Sequence, residues 1–136
     1  MKYAIKGSYS FCGRENPYNG LFEIEDDNIV GLISDPNSSC PRHEVKGKVV
    51  HLKNKIILDF VKIPLRTLMA DIFYKLEKSN GNEIEGEYEG FWSFGDQEFC
   101  QLGLGYKLGI GEVVTIRPIQ EPEKENKTYL TLDKLI

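Results

Sequence analysis

Hydrophobic and polar residues alternate with a period of two along much of this chain. In residues 3–11 the odd positions carry Tyr3, Ile5, Tyr9 and Phe11, whereas the even positions are mostly Lys or Ser. Side chains on a β-strand point to opposite faces in turn, so this pattern predicts a strand with one apolar face. A helix would instead repeat its apolar positions every three or four residues.

Similar short runs recur along the chain and are separated by turn residues. They predict strands at residues 21–25, 29–34, 44–52, 55–63, 70–76, 84–94, 98–104, 112–119 and 128–132. Between them lie a tight turn at 26–28, a loop at 35–42, a turn-rich stretch at 13–20 and a connector at 64–68 that could hold one helical turn. The last residues, 132–136, could continue the final strand or form a frayed helical turn.

The segment from 70 to 94 shows how the alternation limits strand pairing. A two-residue Asn80-Gly81 turn would place the apolar face of one strand against the glutamates of the next. Because a one-residue slip exchanges the two faces, a three-residue loop over 79–81 is predicted instead. This register pairs Leu76 with Ile84, Tyr74 with Gly86 and Lys75 with Glu85.

The strand rhythm predicts an all-β protein, and inward glycines favour a barrel over a sandwich. Gly86 and Gly90 fall on the apolar face of their strand, where glycine is typical of a strongly coiled strand at a barrel corner. The expected fold is a single antiparallel β-barrel of about eight to ten strands with little or no helix, formed by residues 1–136 as one domain.

Composition and charge narrow the possible classes of function. The chain has 136 residues, 40% of them hydrophobic and 28% charged, which is typical of one globular domain. The net charge of −4 argues against general nucleic-acid binding. No run approaches the ~20 apolar residues of a membrane span, and the N-terminal residues lack the apolar core of a signal peptide. A cytoplasmic location is therefore expected.

Aromatic residues supply the main candidate binding site. The chain contains seven Phe, seven Tyr and one Trp. Six aromatic residues are predicted to share the barrel interior and to contact a ligand: Tyr9, Phe60, Tyr74, Tyr88, Trp92 and Phe94. An eight-stranded barrel can be filled by its own side chains or can hold one small ligand, and both alternatives stay open. Inward glycines remove volume and interior tyrosine hydroxyls need partners, and both features argue for a cavity against the packed core that is otherwise preferred.

The opposite face of the strand at 84–94 carries Glu83, Glu85, Glu87 and Glu89. Adjacent carboxylates on one face lie about 6.6 Å apart, a spacing that a glycosidase or a hard-cation site could also use. Any strand with alternating glutamates has this spacing. The preferred interpretation is a solvent-facing stripe, partly paired with nearby lysines (Lys75 and Lys78).

Cysteine and histidine residues offer weaker candidates. Cys40 and His43 are three residues apart and could form a zinc site with Cys12 and Cys100, although the spacing does not bring these groups together. No metal site is therefore predicted. His51 is interpreted as a structural histidine.

Two other segments carry weak functional motifs. The glycine-rich stretch at 103–111 lacks the βαβ context of a dinucleotide loop. The hairpin at 42–55 is locally basic, but no aromatic residue interleaves its lysines, so nucleic-acid binding is disfavoured.

Gly90, Phe91 and Trp92 form a G-x-W motif. This motif resembles that of the calycin group, the lipocalin-like and avidin-like small barrels, in which it lies on a barrel strand. Lipocalin-like members often pack a late arginine across the tryptophan, and Arg117 matches that arrangement. In lipocalins the motif lies on the first strand, whereas here it lies about two-thirds along the chain. The resemblance implies an antiparallel barrel, a hydrophobic ligand in its interior and no catalysis.

These observations predict a barrel that binds a small apolar ligand in its interior. The alternative is a structural or protein-interaction module with a packed core and a functional outer surface. An enzyme ranks third, because no set of nucleophile, base and orienting group can be assembled. No cofactor and no membrane partner are expected, and the oligomeric state stays open.

Overall fold

The structure, a computed structural model, describes residues 1–38, 40–65, 71–79, 81–94 and 126–135. These residues form a closed barrel in which each strand is antiparallel to the next and the eighth pairs with the first. The strands are β1 (Lys2–Phe11), β2 (Arg14–Glu25), β3 (Asn28–Ser34), β4 (Arg42–Leu52), β5 (Lys55–Pro64), β6 (Ile72–Ser79), β7 (Gly86–Phe94) and β8 (Lys127–Lys134). The predicted all-β antiparallel barrel is confirmed, while the strands predicted at 98–104 and 112–119 lie outside the described residues.

The period-two pattern selects the residues that face the interior. Within the strands the buried residues fall at alternate positions, and the closing pair of strands keeps this alternation, with Ile5 of β1 opposite Leu132 of β8. The buried hydrophobic side chains form one core: Tyr3, Ile5, Tyr18, Phe22, Ile24, Ile29, Ile33, Val45, Val49, Ile56, Leu58, Phe60, Ile72, Tyr74, Leu76, Tyr88, Trp92, Leu130 and Leu132. Burial of this apolar surface is the main contribution to folding.

The tight turn between β2 and β3 follows from its sequence. Asp26 and Asp27 both have positive φ, at 50° and 62°. A two-residue hairpin turn with positive φ at both central positions matches the twist of the strands, and aspartate adopts this conformation more readily than most residues. The turn predicted at 26–28 is therefore confirmed.

The turn-rich stretch predicted at 13–20 is wrong, because most of it belongs to β2. Pro17 lies opposite Ser8 of β1, while pairing with β3 begins only at Asn19. At Pro17, β2 is therefore paired with β1 but not with β3. The absence of an N–H group on proline removes no backbone hydrogen bond to β3. The last strand is also longer than predicted and shows that residues up to 134 continue it.

The predicted register between β6 and β7 is wrong as well. Leu76 pairs with Gly90 and Tyr74 with Trp92, so the partner of each β6 residue lies further along β7 than predicted. The alternation of faces survives because the displacement is an even number of residues. The amine of Lys78 donates to the backbone carbonyls of Glu83 and Glu85, and these hydrogen bonds hold the longer connection.

Gly90 shows why glycine occupies the interior face of β7. A β-carbon added at this position would overlap the carbonyl oxygen of Lys75 on the neighbouring strand. Glycine at this position thus permits the close approach of two strands, as expected for a coiled strand. It does not supply free interior volume, which removes one of the arguments for a cavity.

Because successive strands run in opposite directions, two of the connections between strands lie at the same end of the barrel. These are the turn between β1 and β2 and the loop at 35–41 between β3 and β4, and we call this the loop end. No helix among the described residues is long and apolar enough to span a membrane.

Candidate functional site

The loop end of the barrel contains three buried polar side chains. Asp35 follows β3, His43 begins the inward face of β4, and Lys62 lies near the end of β5. Their exposed fractions are 1%, 0% and 1%. Strand direction brings them together, because β3 ends, β4 starts and β5 ends at the same side of the barrel. We call these three residues the polar cluster.

Asp35 and Lys62 form a buried ion pair. The Nζ of Lys62 donates to Asp35 Oδ2 at 3.0 Å, and the hydroxyl of Tyr9 donates to Asp35 Oδ1 at 3.0 Å. Both carboxylate oxygens are therefore bound. A buried ion pair compensates for the loss of hydration only when such further hydrogen bonds are present.

Aromatic rings surround the ammonium group of Lys62. Its Nζ lies 5.0 Å from the ring centre of Tyr9, 6.0 Å from that of Tyr18 and 5.2 Å from that of Tyr74. A cation within about 6 Å of a ring face is attracted by the ring quadrupole. The three rings therefore stabilise the charge on the sides that Asp35 leaves open.

Burial shifts the pKa values of these groups. It lowers the pKa of Lys62, while the nearby Asp35 carboxylate opposes the shift. It also raises the pKa of Tyr9, and the Asp35 charge and the hydrogen bond to Asp35 add to that increase. Desolvation disfavours whichever form is charged, which is ammonium for lysine and phenolate for tyrosine.

His43 is the unusual member of the polar cluster. Neither of its ring nitrogens has a hydrogen-bond partner among the described residues, although both are buried. Burial lowers its pKa to about 4; the Lys62 charge lowers it further and the Asp35 charge opposes both. The ring is therefore neutral at pH 7, with one donor and one acceptor nitrogen unused.

Hydrogen bonds hold the 35–41 loop beside the polar cluster. The Asp35 amide donates to the Pro41 carbonyl at 2.7 Å, and the Ser38 amide donates to the Asp35 carbonyl at 3.1 Å. The thiol of Cys40 is buried and donates to the Arg42 carbonyl at 3.2 Å. Asp35 thus takes part in both the loop and the ion pair.

The structure places five of the six predicted ligand residues on the inward face. Phe60 and Tyr74 stack with ring centres 4.9 Å apart and planes 7° apart. Tyr9 meets Trp92 edge-on at 6.1 Å. Tyr88 lies further from the loop end and donates its hydroxyl to the Ile84 carbonyl at 2.6 Å.

The sixth residue, Phe94, pairs with Ile72 at the end of β7, and its side chain lies outside the described residues. The indole Nε1 of Trp92 donates to the Ser10 carbonyl at 3.0 Å. These aromatic side chains contact one another in the interior, and their role in ligand binding stays a prediction. Trp92 and Gly90 of the G-x-W motif lie on β7, whereas Arg117 lies outside the described residues.

Sequence reasoning missed Asp35, Lys62 and Tyr18 as members of one site. The alternation in β5 contained the relevant information, because Lys62 is in phase with the buried Leu58 and Phe60. A lysine on an apolar face indicates a buried charge that needs a carboxylate partner. The sequence does not identify that partner, since Asp35 comes from another part of the chain.

The other candidate metal and acidic sites are dispersed or lie on the surface. Cys12 is exposed and Cys40 is buried, while Cys100 lies outside the described residues. Within the described ranges, no group of three or more His, Cys, Asp or Glu side chains is placed to hold a metal ion.

A groove of about 440 Å³ opens on the outer surface at β6, β7 and β8. Its lining includes three carboxylates, from Glu77, Glu87 and Glu89, together with Tyr129. Glu83 and Glu85 precede β7, so only part of the predicted acidic stripe lies on that strand.

The fold and the polar cluster define a class: a closed eight-stranded antiparallel barrel with a buried ion pair and a buried histidine at one end. Comparison of the chain with protein-family models, curated proteins and solved structures finds no match. Its function therefore has to be inferred from its own residues.

Proposed function

We propose that the barrel binds a small, mainly apolar molecule at its loop end, with one hydrogen-bonding group of the ligand directed at His43. The observation that carries the proposal is that neither buried ring nitrogen of His43 has a hydrogen-bond partner among the residues that the structure describes. A buried unsatisfied polar group costs about 1–3 kcal/mol, and such groups are rare in folded proteins. A ligand hydroxyl, carbonyl or carboxyl group would supply the missing hydrogen bond.

The surrounding side chains suit the rest of such a ligand. Tyr9, Tyr74 and Trp92 provide aromatic walls, while the Asp35 carboxylate is already bound by Lys62 and Tyr9. A ligand therefore meets mainly apolar surface, with His43 as its hydrogen-bonding partner. Small-molecule sites typically combine apolar walls with a few polar groups in this way.

Binding can be tested with Trp92, the single tryptophan of the chain. Benzyl alcohol and toluene are suitable probes because they share a ring and differ in one hydroxyl group. Saturable changes in Trp92 fluorescence are expected for both, with tighter binding of benzyl alcohol. Native mass spectrometry of the protein with each probe gives the stoichiometry, expected to be one per barrel.

His43→Leu is the informative variant. It removes both ring nitrogens, so the affinity for benzyl alcohol is expected to fall about tenfold, the equivalent of one hydrogen bond. The affinity for toluene is expected to change by less than a factor of about two. His51→Leu is the matched control, because His51 is exposed. No saturable fluorescence change with either probe, together with a single unliganded mass, would refute the proposal.

The acidic groove favours a second candidate function, binding of a basic protein segment. Glu77 of β6 lies directly opposite Glu89 of β7. Glu77 is paired with Lys55 at 3.0 Å, but like charges placed opposite each other repel, and a basic segment in the groove would relieve this repulsion. A pull-down with the wild-type chain should recover a partner that a variant with Glu77, Glu87 and Glu89 changed to Gln loses. Identical partners for both chains would exclude this function.

A further inference from the structure

Lys62 carries a primary amine in the barrel interior beside the proposed ligand site. Its Nζ lies 3.0 Å from Asp35 Oδ2 and within 6.0 Å of three tyrosine ring centres. The binding proposed above uses His43 and the aromatic walls and leaves this amine without a function of its own.

We propose that Lys62 binds a small apolar aldehyde covalently and reversibly as an imine, with Asp35 as the counter-ion of the protonated adduct. This inference rests on the proposed function, because the aldehyde occupies the same ligand site. It specifies the ligand class: an apolar body that carries one carbonyl group.

The surroundings of the amine meet the two requirements of imine formation. The first is formation of the neutral amine. Burial lowers the pKa of Lys62, and although the Asp35 charge opposes this shift, Asp35 Oδ2 lies 3.0 Å from Nζ, where it can accept the departing proton. The second is stabilisation of the positive iminium nitrogen. Asp35 supplies a negative charge, and the rings of Tyr9, Tyr18 and Tyr74 stabilise a cation at the same position.

The reaction balances with groups that are present. The Lys62 ammonium passes one proton to the Asp35 carboxylate, and the neutral Nζ attacks the carbonyl carbon. The new C–N bond forms while the carbonyl π electrons move to oxygen, which is protonated. The C–O bond then breaks, and the oxygen leaves as water. Two of the three ammonium protons depart with this water, one stays on the iminium nitrogen, and the Asp35 carboxylate is regenerated.

Tyr9 and His43 act as positioning residues in this scheme. The Tyr9 hydroxyl binds Asp35 Oδ1, which leaves Oδ2 directed at the Lys62 nitrogen. His43 is neutral and adds no positive charge beside the iminium. Its ring nitrogens, which have no partner in the described part of the chain, can bind the carbonyl oxygen and the water that leaves.

Reductive trapping tests the proposal on the intact chain. Benzaldehyde is added with sodium cyanoborohydride, which converts an imine into a stable secondary amine, and the modified residue is located by peptide mass mapping. Lys46 is the internal reference, because it is exposed on β4, the strand next to β5. We expect one adduct per chain, formed at Lys62 at least about ten times faster than at Lys46.

Two variants and one competitor complete the experiment. Lys62→Arg keeps a cation beside Asp35 but cannot form an imine, so trapping at position 62 should disappear while Lys46 reacts as before. Asp35→Asn should slow trapping at Lys62 by about tenfold through loss of the counter-ion. Benzyl alcohol should slow the trapping of Lys62 by benzaldehyde in the wild-type chain. This competition experiment does not depend on whether a variant folds.

The outcomes distinguish this inference from the proposed function. Saturable binding of benzyl alcohol with trapping at Lys62 no faster than at Lys46 would overturn the imine and leave the binding function intact. Absence of benzyl alcohol binding together with unselective trapping would overturn both. Selective trapping at Lys62 that benzyl alcohol suppresses would establish both.

Discussion

Replacement of His43 by leucine should remove a large part of the pH dependence of stability. In the folded chain the imidazole is buried and its pKa is about 4, against an ordinary value of 6.5. Between these values the unfolded chain binds a proton that the folded chain does not. Stability due to His43 is therefore complete above pH 6.5 and is lost as the pH falls towards 4.

The size of the effect follows from the two pKa values of His43. A difference of about 2.5 pH units corresponds to about 3 kcal/mol once the pH lies below both values. Between pH 7.5 and pH 5, where most carboxylates are still ionised, the same relation gives a loss of about 2 kcal/mol. The His43→Leu chain cannot bind this proton. Its free energy of unfolding should therefore fall by about 2 kcal/mol less than that of the wild-type chain between pH 7.5 and pH 5.

Urea denaturation followed by Trp92 fluorescence at several pH values measures this difference. The wild-type chain and the variant share all other titrating groups, including Lys62 and Asp35, which face His43 from β5 and from the end of β3. Subtracting one curve from the other removes their common contribution. His51→Leu removes an exposed histidine and serves as the control for the loss of an imidazole. If the His43→Leu curve is also parallel, the imidazole is not held neutral by burial, and the reasoning fails.

Four further changes test other parts of the structure by urea denaturation. Asp35→Asn should cost about 3–5 kcal/mol, because it leaves the Lys62 charge buried without its partner. Phe60→Ala should cost about 3–5 kcal/mol through loss of a buried aromatic ring that stacks on its neighbour. Gly90→Ala should cost about 3 kcal/mol, because the added methyl group overlaps the adjacent strand. Glu89→Gln should stabilise the barrel by up to about 0.5 kcal/mol by relieving like-charge repulsion.

Each of these predictions can be contradicted by a particular result. An Asp35→Asn chain of unchanged stability would mean that the ion pair contributes nothing to the fold. For glycine, Gly13→Ala is the comparison: it lies at φ 72° with open space around it, so only about 1 kcal/mol of backbone strain is expected. Equal costs at Gly13 and Gly90 would argue against the close strand approach. A destabilised Glu89→Gln chain would show that the carboxylate has a favourable partner.

The alternation of residue types was sufficient to predict most of the elements and their faces, but it missed the first half of β2. Along β5 it separates the inward Leu58 and Phe60 from the outward positions, and the same rule holds for β1 and β8. It was not sufficient for strand register. Any even displacement keeps the same faces, so the pairing of Leu76 with Gly90 depends on how the whole ring closes.

Some residues of the candidate site could be predicted from the sequence, and others could not. The inward position of Tyr9, Phe60, Tyr74, Tyr88 and Trp92 could be predicted, because it depends only on the parity of each residue in its strand. Membership of the polar cluster could not, because Asp35, His43 and Lys62 come from three different parts of the chain.

The sequence by itself therefore determined an all-β chain with strands that each have one mainly apolar face. Local period-two geometry is enough for this conclusion. The tertiary structure decided which strands are neighbours, which residues oppose one another and which charges meet in the interior. The physical reason is that strand pairing joins residues that are far apart in the sequence. The pairing of β3 with β4 and of β4 with β5 brings Asp35, His43 and Lys62 to one end of the barrel, where all three are buried.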